Sequence, residues 1–138
     1  MRIAIAQINS TVGDITGNAA KILDAVNQAK QAGAQLVITP ELALSGYPPA
    51  DLLLRETFCQ SCNEALTELI KAIDDTTLVV GYPSFQEGKL YNAVSVIRRG
   101  KISHTYYKRI LSQSPFFNES YYFDTGTESC VFELDGVK

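Results

Sequence analysis

Glu41, Lys108 and Glu119 are the residues of this 138-residue chain whose types and placing best suit acid–base and electrostatic chemistry. Glu41 directly follows Pro40 and a short apolar run, Gln35-Leu36-Val37-Ile38-Thr39. A carboxylate at the end of a buried strand is partly desolvated, which suits it to act as a general base. Lys108 follows Tyr106-Tyr107 at the end of an alternating segment, where a fixed ammonium can stabilise developing negative charge. Glu119, after Phe116-Phe117, is placed to pair with that lysine. Taken singly, each also fits a plainer description: an exposed loop acid, a solvated strand-end lysine, and an acid at a helix start favoured by the helix dipole. Ser45 and Tyr47 share the loop of Glu41.

The remaining candidates carry less chemistry. Cys59 and Cys62 form a Cys-x-x-Cys inside a predicted helix, and only Cys130 and His104 could complete a metal site, so no metal centre is expected. Redox activation would need the pair at a helix N-terminus, so buried small side chains are the expected reading. Cys130 and His104 both read as ordinary strand residues. Neither a Gly-x-Gly-x-x-Gly nor a Gly-Lys-Ser/Thr phosphate loop occurs, and no nucleotide cradle is expected in this chain.

The elements that must position these residues follow a βα rhythm. Ile3 and Ile5 open a strand ending near Asn9-Ser10. Apolar residues at helical spacing predict a helix over Asn18 to Ala32, ended by Gly33. Gln35 to Thr39 is a buried central strand, and Glu41 to Asp51, with Gly46, Pro48 and Pro49, is a loop past its carboxyl end, where α/β proteins place chemistry. A second helix is predicted from about Leu53 to Ile73, then a strand from Thr77 to Val80 with Gly81-Tyr82-Pro83 as a turn. Tyr91 to Ile97 and Lys101 to Tyr107 alternate around Arg98-Arg99-Gly100, a β-hairpin with a basic turn. Arg109 to Tyr122 reads as irregular or short helix, and Cys130 to Leu134 as a last strand before an Asp135-Gly136 turn. That turn predicts a partner strand beyond Lys138, so the sequence is expected to be incomplete.

Composition bounds the possibilities. With 46% hydrophobic and 20% charged residues the chain can fold around a core, which excludes a disordered or collagen-like molecule. Fifteen acidic residues against 12 Lys+Arg, without a basic cluster beyond the Arg98–Lys101 turn, argue against nucleic-acid binding. No apolar run is long enough for a membrane span or a signal peptide, and three cysteines predict free thiols in a reducing cytoplasm.

Together, Met1-Arg2-Ile3-Ala4-Ile5-Ala6-Gln7, Leu36-Val37-Ile38-Thr39-Pro40-Glu41-Leu42, Tyr91-Asn92-Ala93 and Tyr107-Lys108-Arg109-Ile110-Leu111 resemble the nitrilase, or carbon–nitrogen hydrolase, superfamily. The run Pro40-Glu41-Leu42-Ala43-Leu44-Ser45-Gly46-Tyr47-Pro48-Pro49-Ala50-Asp51-Leu52-Leu53 is similar, more narrowly, to the glutaminase domains of glutamine-dependent NAD+ synthetases. The resemblance spans residues 1–138 and about the first half of such a domain. It implies an α-β-β-α sandwich, of which this chain supplies mainly one sheet and two covering helices.

The resemblance also implies a Glu-Lys-Cys centre for hydrolysing glutamine. Glu41 matches the general base, Lys108 the oxyanion-stabilising lysine, Glu119 the second glutamate that positions it, and Tyr47 a substrate-pocket tyrosine. Where the family usually has Leu-Pro-Asn-Tyr and then Asp-Glu, this chain has Leu111-Ser112-Gln113-Ser114 and then Asn118-Glu119, so Ser114 replaces a pocket tyrosine. The family's nucleophile lies in a Cys-Glu-Asp motif expected after Lys138, and Glu128-Ser129-Cys130-Val131 does not match it. The isolated chain is therefore expected to be inactive. In the parent, ammonia would pass to a separate domain using ATP and Mg2+, and self-association is the family's habit. The alternatives are another amidase or carbamoylase of the superfamily, and a non-catalytic fragment that oligomerises or binds a partner.

Overall fold

The computed structural model describes residues 1–138. Five strands form one mixed sheet in chain order: β1 (Ile3–Ile5), β2 (Leu36–Ile38), β3 (Thr77–Gln86), β4 (Lys89–Arg98) and β5 (Lys101–Tyr107). The first three are parallel to one another, and β3, β4 and β5 form an antiparallel meander. Helix α1 (Ile15–Gln31) connects β1 to β2, and α2 (Glu56–Ala72) connects β2 to β3. Right-handed crossovers that advance in one direction across a sheet place both helices on the same face. Accordingly Ile22 and Val26 of α1 and Cys62, Leu66 and Leu69 of α2 pack with Val37, Leu78, Val80 and Ile97 of the strands in one core.

Helix α1 starts three residues before the sequence suggests, because the Asp14 carboxylate accepts the Gly17 N–H at 3.0 Å and caps it. At its end Gly33 takes φ +76°, and the bonds from Gly33 N to Lys30 O and Ala34 N to Ala29 O close a Schellman motif. The second helix is divided: Ala50–Leu54 forms a 3-10 turn, and α2 begins only at Glu56. No helix is long and apolar enough to cross a membrane.

Besides the divided helix, several expectations need correction, among them the irregular or short-helical reading of Arg109 to Tyr122, which contains a strand pair. Strand β1 ends at Ile5 rather than near Asn9. The Gly81-Tyr82-Pro83 run is not a turn: β3 continues through it to Gln86, and Glu87-Gly88 turns the chain into β4. Pro83 is tolerated because Val79 O and Gly81 O, four and two residues earlier on the same side of the strand, point toward β2 and the loop that follows it and not toward β4. Its missing N–H lies on that side, where β2 has already ended. Finally, Cys130 to Leu134 joins no sheet, and its one ladder contact is the bridge from Leu134 to Val137 around the expected Asp135-Gly136 turn. After β5 the chain forms a small hairpin, β6 (Gln113–Ser114) with β7 (Phe117–Asn118), then a 3-10 turn from Glu119 to Tyr121.

Candidate active site

Glu41 leaves the end of β2 on a loop pressed against the middle of β3. Leu44 N–H donates to Gly81 O at 3.2 Å, and Gly81 N–H donates to Thr39 Oγ1 at 3.3 Å. A Cβ on Gly81 would stand 2.7 Å from Leu42 N and 2.9 Å from Pro40 O, so only glycine lets the loop lie this close. Leu42, fully buried, takes φ +49° and turns the chain directly after the glutamate. Asn18 braces the same loop from α1: its buried amide donates to Thr11 O and Leu44 O and accepts the Thr11 N–H.

Lys108 lies one residue past β5, and its N–H donates to Asn92 O at 2.8 Å. Its Nζ stands 2.7 Å from Glu41 Oε1 and 2.7 Å from Glu119 Oε2. Asn92, on β4, donates through one amide nitrogen to Glu41 Oε1 and to Glu119 Oε1, each at 2.7 Å. Four residues separated by up to 78 positions thus form one hydrogen-bonded cluster. Register places it on the sheet face opposite the helices. Gly81, Val94 and Tyr106 are paired across β3, β4 and β5 and line the cleft beside Glu41, Asn92 and Lys108.

The two carboxylates are held differently. Glu119 is fully buried and also receives the Ser112 N–H at 2.6 Å, while its own N–H donates to Ser112 O at 2.8 Å. Burial alone would raise its pKa, but the bonds from Lys108, Ser112 N–H and Asn92 together hold it below the ordinary glutamate value. For Lys108, burial acts to lower the pKa, and the bonds and charges of Glu119 and Glu41 outweigh it, raising the ammonium above the usual lysine value. Lys108 therefore remains a fixed cation through the neutral range. Glu41 has a side chain 44% exposed and can meet a reactant.

Of the other residues singled out from sequence, Tyr47 lies near enough to the cluster for the charges of Glu41, Glu119 and Lys108 to act on its hydroxyl. Its ring meets Phe117 edge-on at 5.4 Å, and Phe117 stacks on Tyr122, whose hydroxyl donates to Asp51 at 2.6 Å. Burial, with Glu41 and Glu119 adding to it, raises the Tyr47 pKa against the opposing charge of Lys108, so the hydroxyl stays protonated. Ser114 makes only local contacts, its Oγ accepting the Phe116 N–H at 3.2 Å and its own N–H donating to Ser112 Oγ. Ser45 is fully buried with its Oγ on Leu42 O at 3.1 Å, which ties up the hydroxyl within its own loop. Cys59 and Cys62 are buried free thiols, and burial, with Cys59 beside it, pushes Cys62 up to about 12. Cys130 lies beside His104 and Tyr106, and no cysteine lines the cleft of Glu41.

Asn92 and Gly81 are the site residues that reasoning from isolated residues misses. The Tyr91-Asn92-Ala93 run contributes to the family resemblance, but nothing in a strand asparagine announces two carboxylate partners 51 residues before it and 27 after. The available signal is a polar residue in a strand whose neighbours are apolar.

The carbon-nitrogen hydrolase family model matches residues 2–138. The chain is 41% identical over 141 residues to the glutamine-dependent NAD(+) synthetase of Xanthomonas campestris pv. campestris and 39% identical over 140 residues to that of Aquifex aeolicus. Each match covers 100% of this chain but 26% and 24% of the relative, so the chain spans about a quarter of the curated relatives' length. Among solved structures, the glutamine-dependent NAD+ synthetase of Acinetobacter baumannii superposes with a TM-score of 0.93 at 34% identity, over 97% of this chain and 26% of that one. An amidase from Nesterenkonia sp. superposes with a TM-score of 0.78 at 26% identity, over 93% and 49% of the two chains. The chain belongs to the carbon-nitrogen hydrolase family.

Proposed function

We propose that these residues form the Glu-Lys-Glu part of a glutaminase centre that supplies ammonia to an ATP-dependent NAD+ synthetase. The observation that carries the reading is the meeting of Glu41, Lys108 and Glu119 through 2.7 Å contacts in an open cleft. It is supported by similarity along the whole chain to glutamine-dependent synthetases. The nucleophilic cysteine, and the domain that uses ATP and Mg2+, belong to polypeptide outside residues 1–138. A cytoplasmic, self-associating enzyme is part of the same reading.

In this mechanism Glu41 removes the thiol proton and the thiolate sulfur attacks the amide carbon of glutamine. The oxyanion that develops is met by the Lys108 ammonium, which Glu119 holds in place without competing for the proton. Glu41 then returns the proton to the leaving nitrogen, the C–N bond breaks, and ammonia departs from a glutamyl thioester. A water deprotonated by Glu41 hydrolyses the thioester to glutamate and frees the thiol. Tyr47 and Ser114 are assigned to the substrate side. General-base and oxyanion contributions are each worth on the order of 10^2 to 10^4 in rate.

Ammonia release from glutamine is measured for the 138-residue chain and for the product of the continuous reading frame that encodes it. Release is expected from the latter, falling by about 10^2 to 10^4 in Glu41→Gln, with only background from the 138 residues. If the short chain releases ammonia and Cys130→Ala abolishes it, the nucleophile assignment is wrong. If the longer product hydrolyses other amides or carbamoyl compounds and not glutamine, the substrate assignment is wrong.

A further inference from the structure

Both hydrogen bonds that Glu41 accepts fall on the same carboxylate oxygen. Oε1 receives the Lys108 ammonium and the Asn92 amide, each at 2.7 Å, while Oε2 receives no hydrogen bond from the chain. Glu119 differs, since its two oxygens share three donors, with Asn92 on Oε1 and Ser112 N–H and Lys108 on Oε2. Asn92 is only 5% exposed and its backbone carbonyl is engaged by the Lys108 N–H, so it has little freedom to follow a moving carboxylate. Both partners of its side chain are carboxylates, which fixes the amide orientation with nitrogen toward them.

We propose that Asn92 is a positioning residue: by holding Glu41 Oε1 against the Lys108 ammonium, it presents Glu41 Oε2 as the oxygen that moves the proton. A carboxylate hinged on Lys108 alone could rotate about its χ angles and offer either oxygen, because an ammonium is a point charge without a preferred direction. A second donor from a rigid strand removes that freedom. Glu119 does not depend on Asn92 in this way, since Ser112 N–H and Lys108 remain when the amide is removed. The catalytic consequence rests on the glutaminase reading, whereas the geometric one does not.

The first readout is NMR of the 138-residue chain, following couplings across hydrogen bonds from nitrogen to the carboxylate carbons. In the unmodified chain the Asn92 side-chain nitrogen must couple to both carboxylates and Lys108 Nζ to both. Loss of either Asn92 coupling overturns the inference without any variant. In Asn92→Leu, and in the isosteric Asn92→Asp, the coupling from Lys108 to Glu41 is expected to weaken while that to Glu119 persists. A Glu41 coupling of unchanged strength in either folded variant overturns the inference.

The second readout is steady-state hydrolysis by the product of the full reading frame. There kcat is expected to fall about 10- to 100-fold, with KM changing less than about 2-fold, as befits a misoriented base rather than lost binding. Unchanged kcat in a folded variant overturns the positioning role. Should the unmodified enzyme not hydrolyse glutamine, the glutaminase reading fails and the NMR result still decides the role of Asn92.

Discussion

The two faces of the sheet are built from alternate residues of the same strands, yet they serve opposite ends. On the helix side, Val37, Leu78, Val80 and Ile97 are packed against Ile22 and Leu69, and the polar groups present, Tyr82, Ser95 and Thr105, satisfy one another through bonds of 2.9 Å. On the other side, Gly81, Asn92 and Lys108 carry the charged cluster with Glu41 and Glu119, while Ile5 is 71% exposed. The sheet's period of two lets one short sequence build both. Packing on the first face makes the strands rigid enough for 2.7 Å contacts to be held on the second.

That division of labour can be broken from either side. The largest stability effect is expected on the covered face, where Leu78→Ala should cost toward the upper end of about 2–5 kcal/mol in urea unfolding, since Leu78 is fully buried. A loss below about 1 kcal/mol would mean that the helix-covered core does not carry the fold. On the charged face, Lys108→Met leaves Glu119 buried without its cation. A fully dry pair would lose about 3–5 kcal/mol, but the Lys108 side chain is 29% exposed, so about 2–3 kcal/mol is expected. Adding Glu119→Gln to Lys108→Met should recover part of that loss, and a double variant no more stable than the single one would contradict the coupling.

The smallest effect sharpens the comparison by pH. The Glu119 pKa is lowered in the folded chain, so its contribution is fully present above the unfolded value of about 4.3 and is lost as pH falls through the lower folded value. Lys108 is raised, so its contribution is present below the unfolded value of about 10.4 and lost as pH rises through the higher folded value. The difference in Tm between the unmodified chain and Glu119→Gln should therefore narrow as pH drops from 5 toward 2. The difference between the unmodified chain and Leu78→Ala should hold steadier over the same range. Parallel narrowing of both would show that acid acts on the whole fold and not on this cluster.

Much of the fold is legible in local patterns. The apolar run before Pro40 marks β2, the spacing from Ala19 to Ala29 marks α1, and Arg99-Gly100 marks the β4–β5 turn, because each signal lies within a few residues of the structure it specifies. Glu41 and Lys108 are legible as strand-end residues for the same reason. Pro83 and the Cys130–Leu134 run mislead, since proline's meaning depends on which side of a strand is unpaired, and an apolar run becomes a strand only when an edge receives it.

By itself, then, the sequence determined the two main helices, the strands β2, β4 and β5 with the turn between the last two, and which residue types could take part in proton transfer, since these follow from neighbours along the chain. Only the tertiary structure decided that Glu41, Asn92, Lys108 and Glu119 share a site, that Gly81 makes room for the loop of Glu41, and that one carboxylate is buried while the other stays open. Those are facts about residues distant along the chain, and the sheet register and loop packing that join them exist only once the whole chain has folded.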